Sequence, residues 1–312
     1  MKKKYPRNML GYGSNLPKVK WPNNSKIAVQ FVLNYEEGGE NCVLHGDKFS
    51  EIFLSEIIGA KPIKGRHLNM ESLYEYGSRV GFWRIHKLFK EYKIPLTIFG
   101  VGMALERNLE ICKEMKKSNY EIASHGWRWI DYQNISKPIE KKHMQKAITT
   151  IKKIFGKKPV GWYTGRCSPN TLDLVIDEGS FLYCSDTYND DLPYWKKKGN
   201  KKQLMIPYSL DNNDMRFLTN QGFNSGDQFY NYLKDSFDTL YEEGKEKPKM
   251  MSIGLHCRII GKPGRIQSLK KFLNYITGFD NVWICKREDI AKPNSCKHSW
   301  AGLGSDLELC YV

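Results

Sequence analysis

No apolar run in the chain approaches the roughly 18 residues that a membrane span requires. Its opening segment, MKKKYPRNMLGYGSNLPKVKW, is basic but lacks the apolar core of a secretory leader. A cytoplasmic protein with no membrane partner is therefore expected. Cysteine never occurs as a C-x-x-C pair: the eight residues, at 42, 112, 167, 184, 257, 285, 296 and 310, are dispersed. That argues against a zinc ribbon or a disulfide framework and fits reduced thiols used as small core residues. There is no low-complexity tract, no repeat at a solenoid period and no linker to divide the 312 residues. Acidic residues are in short supply, 34 Asp and Glu against 49 Lys and Arg, which gives a net charge of +15. Such a charge invites a nucleic-acid reading. Yet the lysines come in pairs and triples along the whole chain, as at Lys2 to Lys4, Lys157-Lys158 and Lys196 to Lys198, the pattern of solvated faces. No nucleic-acid partner is expected.

The most informative stretch is Ile27 to Gly46, IAVQFVLNYEEGGENCVLHG. From Ile27 to Leu33 both alternating faces are apolar apart from Gln30, which suits a strand buried on both sides of a parallel sheet. Two carboxylates, Glu36 and Glu37, follow where the strand gives way to Gly38-Gly39. A long loop, Gly38 to Met70, contains His45 and a short apolar segment, Ile52 to Ile58; loops of this length in compact domains are usually functional. Residues 74 to 92 then read as an amphipathic helix. Further strands are expected at Leu96 to Val101, Tyr120 to Ala123, Val160 to Tyr163, Phe181 to Ser185, Leu204 to Tyr208, Met250 to Leu255 and Val282 to Cys285. Helices alternate with them, one opening on a possible capping box, Ser225 and Gln228, and ending at Gly244. Strict alternation implies a parallel sheet. No G-x-G-x-x-G follows the first strand, which favours a (β/α) barrel over an open doubly wound sheet.

In a parallel barrel the chemistry lies just past the strands, and there the sequence is one-sided. The residues are Glu36 and Glu37, His125 in SHGWRW, Arg166 in YTGRCSP, Asp186 in CSDTY, Asp211 to Asp214 in LDNND, and His256 with Arg258 in GLHCR. Such a set offers a base, an acid or oxyanion donor, and cations to orient a polar substrate. Singly, Asp186 or Asp214 reads more naturally as a helix N-cap. Adjacent Glu36 and Glu37 can both face one site only if the strand has already ended, and their repulsion would then raise one pKa.

The stretches NYEEGGENCVLHGD, ESLYEYGSR, SHGWRWIDYQ, GWYTGRCSPNT, DLPYW, NDMRF, QGFNSGDQF and GLHCR resemble the polysaccharide deacetylase (NodB-homology) superfamily, and within it the metal-independent allantoinase branch of the PuuE type. The likeness runs over residues 5 to 291. It implies a single-domain α/β fold of distorted (β/α)7-type barrel, with an N-terminal wrapping segment at 1–26, the barrel at 27–291 and a loosely ordered tail at 292–312. It also implies Glu36 as base, Glu37 at an ancestral metal-ligand position, His125 as the first histidine of an H-x-x-x-H motif, and Arg166, Asp186 and His256 in the later motifs. Trp129 stands where the second ligating histidine would be. Because indole cannot ligate, the expectation is no metal and no cofactor.

The activity implied is that of a hydrolase acting on the carbon–nitrogen bonds of cyclic amides, opening allantoin to allantoate in purine catabolism. Glu36, His125 and His256 would be catalytic, and Glu37, Trp129, Arg166, Asp186 and Arg258 would bind a small ureide. The resemblance further implies a homotetramer. The alternatives are a related cyclic imide or hydantoin hydrolase and a zinc-dependent polysaccharide or peptidoglycan deacetylase.

Overall fold

The computed structural model describes residue 5 and residues 7–17 and 19–292. The expected tail at 292–312, with Cys296, His298 and Cys310, lies outside the described residues except for Lys292. The strands are β1 Ile27–Tyr35, β2 Thr97–Gly100, β3 Glu121–Ser124, β4 Gly161–Trp162, β5 Tyr183–Cys184, β6 Tyr194–Lys198, β7 Lys201–Met205, β8 Lys249–His256 and β9 Val282–Ile284. The helices are α1 Leu68–Tyr76, α2 Phe82–Tyr92, α3 Gly102–Arg107, α4 Leu109–Lys117, α5 Lys137–Phe155, α6 Thr171–Glu178, α7 Gly226–Glu243, α8 Pro263–Ile276 and α9 Arg287–Ala291.

The strands form one sheet in the order β6-β7-β5-β4-β3-β2-β1-β8, with β9 also paired to β1. This is a mixed α/β domain whose sheet curls into a distorted barrel. β8 covers one edge of β1 from Ile27 to Asn34, so β9, at Ile27 to Val29, and β2, at Val32 to Tyr35, share the other edge. The expected strict alternation fails at one point: β6 and β7 form an antiparallel hairpin. The sequence YWKKKGNKKQ has too little apolar character to signal a strand, and an edge strand rich in lysine needs none, because the charge itself discourages pairing with other chains. Between the two ends of the sheet the chain after β7 comes alongside β8, where Asn213 bridges Gly254 and Gly254 N donates to Asn212 O.

β1 is buried along its whole length. Ile27, Val29, Phe31 and Leu33 pack into the helical layer, against Phe82, Phe89, Phe237 and Phe272 among others. Ala28 and Val32 point the other way, to an interior core with Phe99, Ala123, Tyr163, Tyr183, Ile206 and Tyr208. Alternating faces of one strand thus feed two apolar layers, which is why the run carries almost no polar residue. Gln30, the exception, has its side-chain carbonyl paired with Arg287 Nη1 at 3.1 Å.

Arg287 of α9 is fully buried inside the barrel. Its guanidinium also donates to Ser252 Oγ at 2.9 Å, to Ser185 Oγ at 2.9 Å and to Pro207 O at 2.9 Å. Burial, the largest influence on this group, pulls its pKa down. Truncating it would leave these acceptors unsatisfied around a cavity. Arg287→Ala is expected to cost roughly 3–5 kcal/mol of unfolding free energy, read by denaturant titration. A loss below about 1 kcal/mol would show that the plug contributes little.

Candidate active site

All parallel strands end on the same rim, and β1 ends at Tyr35, so Glu36 and Glu37 lie in the turn beyond it. Gly38 follows with φ of +95°, a conformation that side chains rarely adopt, and lets the chain reverse. The two carboxylates then part. Glu36 Oε1 lies 3.3 Å from His125 Nε2, just past β3, and 3.5 Å from His256 Nε2, at the end of β8. Glu36 Oε2 accepts from Arg258 Nη1 at 2.7 Å. Glu37 points instead toward the helical layer. Its Oε2 accepts from Glu36 N at 3.1 Å, and its Oε1 lies 3.8 Å from Arg258 Nη1. Room for it is made by Gly77, which opens a π-helical turn, Gly77–Gly81, between α1 and α2. A Cβ at position 77 would fall 2.2 Å from Glu37 Oε1, so only glycine fits there.

The separation sets the electrostatics. Both carboxylates are buried. Burial alone would raise the Glu36 pKa, but Arg258, His256 and His125 together hold it well below the usual carboxylate range. Glu37 is pushed up to about 7, chiefly by burial, with Arg258 opposing and the Glu36 charge adding to the rise. Both carboxylates were expected to face one site and repel; they part instead, and the rise falls on Glu37 mainly through burial, with the Glu36 charge a smaller contribution.

His256 is held by a residue that sequence reasoning discounted. Asp214 Oδ1 takes His256 Nδ1 at 2.6 Å, while its Oδ2 accepts from His256 N at 2.7 Å and Ile260 N at 3.0 Å. Asp214 is not the N-cap it was expected to be: Asn213 caps the short helix Asp214–Leu218 by accepting from Met215 N. With a carboxylate at each ring nitrogen, His256 overcomes the opposing effect of burial, and its pKa rises to about 9. It is therefore an imidazolium at neutral pH.

Arg258 and Arg166 both stack on Trp129, with guanidinium carbons 5.1 and 4.0 Å from the ring centroid. Tyr74 lies under Arg258 at 4.3 Å, and Phe53 stacks on Trp129 with centroids 6.0 Å apart. Phe53 comes from the Gly38–Met70 loop, which also places buried Glu51 3.6 Å from Arg166 Nη1 and gives the Leu54 carbonyl to Arg258 Nε at 3.4 Å. The loop is pinned in turn by Arg128, which donates to Asp47 at 2.5 Å and to Glu40 O at 3.0 Å. None of these loop contacts can be read from spacing, because they bring together residues far apart in the chain. Asp186 lies at the rim as expected but is not aimed at Arg166. Its carboxylate accepts from Thr164 N and Gly165 N at 2.8 Å each, which holds the turn that carries Arg166. Buried Arg166 Nη2, Arg258 Nη2 and His125 Nδ1 have no hydrogen-bond partner among the described residues. The two guanidinium N–H groups belong to side chains packed on Trp129 and suit a ligand rich in carbonyl oxygens.

The zinc of the ancestral motif does not fit these residues. Trp129 offers no lone pair for a metal, and the Arg258 guanidinium bonds Glu36 and approaches Glu37, placing a fixed cation between the carboxylates. Among the described residues no group of three or more His, Cys, Asp or Glu could hold a metal ion. His45 makes its contacts elsewhere, with Glu40 O and Arg107.

The chain is similar to known proteins over nearly its whole length. Residues 70–175 match the Polysaccharide deacetylase family. A Putative polysaccharide deacetylase of Schizosaccharomyces pombe is 45% identical over 300 residues, covering 90% of this chain and 93% of its own. A Peptidoglycan deacetylase of Helicobacter pylori is 29% identical, over 71% of this chain and 87% of that protein. Among solved structures, PuuE allantoinase superposes with a TM-score of 0.91 at 56% identity, over 92% of this chain and 96% of that one. A probable polysaccharide deacetylase from Pseudomonas aeruginosa PAO1 superposes with a TM-score of 0.90 at 58% identity, over 92% and 97%. The chain belongs to the polysaccharide deacetylase family.

Proposed function

We propose that the protein is an allantoinase that opens the hydantoin ring of allantoin to allantoate by hydrolysis, without a metal. The observation that carries this reading is the Arg258 guanidinium bonded to Glu36 and stacked toward Trp129, a fixed organic cation in place of a Lewis acid. The 56% identity to PuuE allantoinase across nearly the whole chain supports the substrate. Glu36 Oε1, held ionised between two histidine Nε2 atoms, accepts a proton as water attacks the ring carbonyl carbon. The negative charge that develops on the carbonyl oxygen is met by the unpartnered N–H groups of the site, an effect worth roughly 3 kcal/mol per well-placed donor. The ring C–N bond then breaks, and the His256 imidazolium gives its Nε2 proton to the leaving nitrogen. The proton held by Glu36 passes to His256 and restores both groups. Arg166, packed against both Phe53 and Trp129, orients the ureide carbonyls.

This reading carries with it a cytoplasmic homotetramer working in purine breakdown. It is tested by allantoate formation from purified protein with a chelator and with added zinc in parallel. The expected result is turnover indifferent to both. Loss of turnover with the chelator and its recovery with zinc would remove the metal-free mechanism. Zinc-dependent acetate release from an acetylated amino-sugar oligomer, with no action on allantoin, would move the protein to the deacetylases.

A further inference from the structure

Between Gly38 and α1 the chain forms one 3-10 turn, Val43–His45, and is otherwise irregular, yet its segment at residues 51–54 reaches both rim arginines. One buried side chain organises that segment. Glu51 is 4% exposed. Its Oε1 accepts from Ile52 N at 2.9 Å and Phe53 N at 3.0 Å. Its Oε2 accepts from Asn41 Nδ2 at 2.7 Å, and Glu51 N donates to Asn41 O at 2.9 Å, which ties the neck of the loop. Leu54 comes next with φ of +50°, a left-handed conformation that a bulky side chain rarely adopts. Its side chain is buried and its carbonyl accepts from Arg258 Nε, so the strained residue is held from both sides.

These contacts require an acceptor but not a charge. The amide and Asn41 donors would be served as well by a neutral side-chain carbonyl. What the carboxylate adds is its negative charge, and the cation it meets is Arg166, whose Nη1 lies 3.6 Å from Glu51 Oε2. The Arg166 guanidinium also packs against Phe53 at 4.6 Å and Trp129 at 4.0 Å. Ring faces restrain the plane of a guanidinium but not its rotation within that plane, and a fixed carboxylate at one edge restrains the rotation. Because Glu51 is buried, its charge depends on that partner in return.

We infer that Glu51 is a positioning residue: it seats Phe53 over Trp129 through the backbone, and it fixes the orientation in which Arg166 meets the ureide carbonyls. The inference rests on the allantoinase reading above for its substrate.

Steady-state kinetics of Glu51→Gln tests it. KM for allantoin is expected to rise about tenfold or more with kcat within about threefold, because binding is lost equally from ground and transition states. In an Arg166→Gln background the same substitution is expected to change KM by less than about twofold, since nothing is left to position. A role confined to packing would multiply the two effects instead. Phe53 is 44% exposed, so Phe53→Ala supplies a variant with little to lose in folding, and it too is expected to raise KM with kcat little changed. Hydrogen exchange needs no substrate: in Glu51→Ala the amides of Ile52 and Phe53 are expected to exchange about tenfold faster or more, with β1 unchanged. KM unaltered in Glu51→Gln or Phe53→Ala, multiplied effects in the double variant, or unaltered exchange in Glu51→Ala would each overturn the inference. A parent that leaves allantoin intact would count against the function proposed above, and the exchange result would then decide by itself whether Glu51 holds this wall of the site.

Discussion

Glu36→Gln is expected to lower kcat by about 10³- to 10⁴-fold while the protein stays folded. Glutamine keeps the shape of the side chain and can still accept the Arg258 hydrogen bond, now 2.7 Å long at Oε2. What it loses is the lone pair and negative charge at Oε1, the atom that faces both histidines. Glu37 cannot replace it, since it points into the helical layer against Gly77. The variant does break a buried ion pair, but Glu37 Oε1 remains 3.8 Å from Arg258 Nη1 to share the charge that is left. Steady-state kinetics, with circular dichroism as the check on folding, decides the matter. Turnover within tenfold of the parent would take the proton-accepting role away from Glu36.

Asp214→Asn is expected to lower kcat by roughly 10²- to 10⁴-fold, by the logic that a carboxylate fixes its histidine's orientation and charge. Asparagine can still accept from backbone nitrogens, but it removes the charge that does most to lift the His256 pKa against burial. The effect should appear in the pH profile as well as in the rate. In the parent the imidazolium is favoured by the folded state. Its contribution to stability is complete below the ordinary value of 6.5 and is lost as pH rises through about 9. In the proposed mechanism His256 is the proton donor, so an alkaline limb of kcat is expected near 9, and in Asp214→Asn that limb is expected to move to lower pH. A slower variant whose alkaline limb has not moved would show that Asp214 acts only through packing.

How much of this site could be read in advance depended on where each residue sits relative to the strand ends. Glu36, His125 and His256 directly follow or end buried strands with strong apolar signals, so their arrival at one rim follows from a parallel sheet alone. Asp214 does not. It follows β7 by an irregular stretch and reaches His256 only because Asn213 pairs with Gly254 across the barrel. Among Asp211, Asn212, Asn213 and Asp214 nothing local says which one turns inward. The N-cap reading, sound for an isolated acidic residue, was displaced because Asn213 occupies the cap. The capping box at Ser225 and Gln228 likewise formed by half: Ser225 accepts from Gln228 N, but Gln228 accepts from Asn224 N.

By itself the sequence determined that strands and helices would largely alternate and that the chemistry would gather at the strand C-termini. These are local matters of apolar period, turn residues and side-chain chemistry. Tertiary structure decided which of two adjacent glutamates would face the histidines, because the choice rests on the space Gly77 leaves and on Arg258 arriving from beyond β8. It also decided the ionisation of the site. Burial works against the charge of Glu36, Glu37 and His256 alike; the charges packed around Glu36 and His256 overcome it, whereas at Glu37 burial prevails.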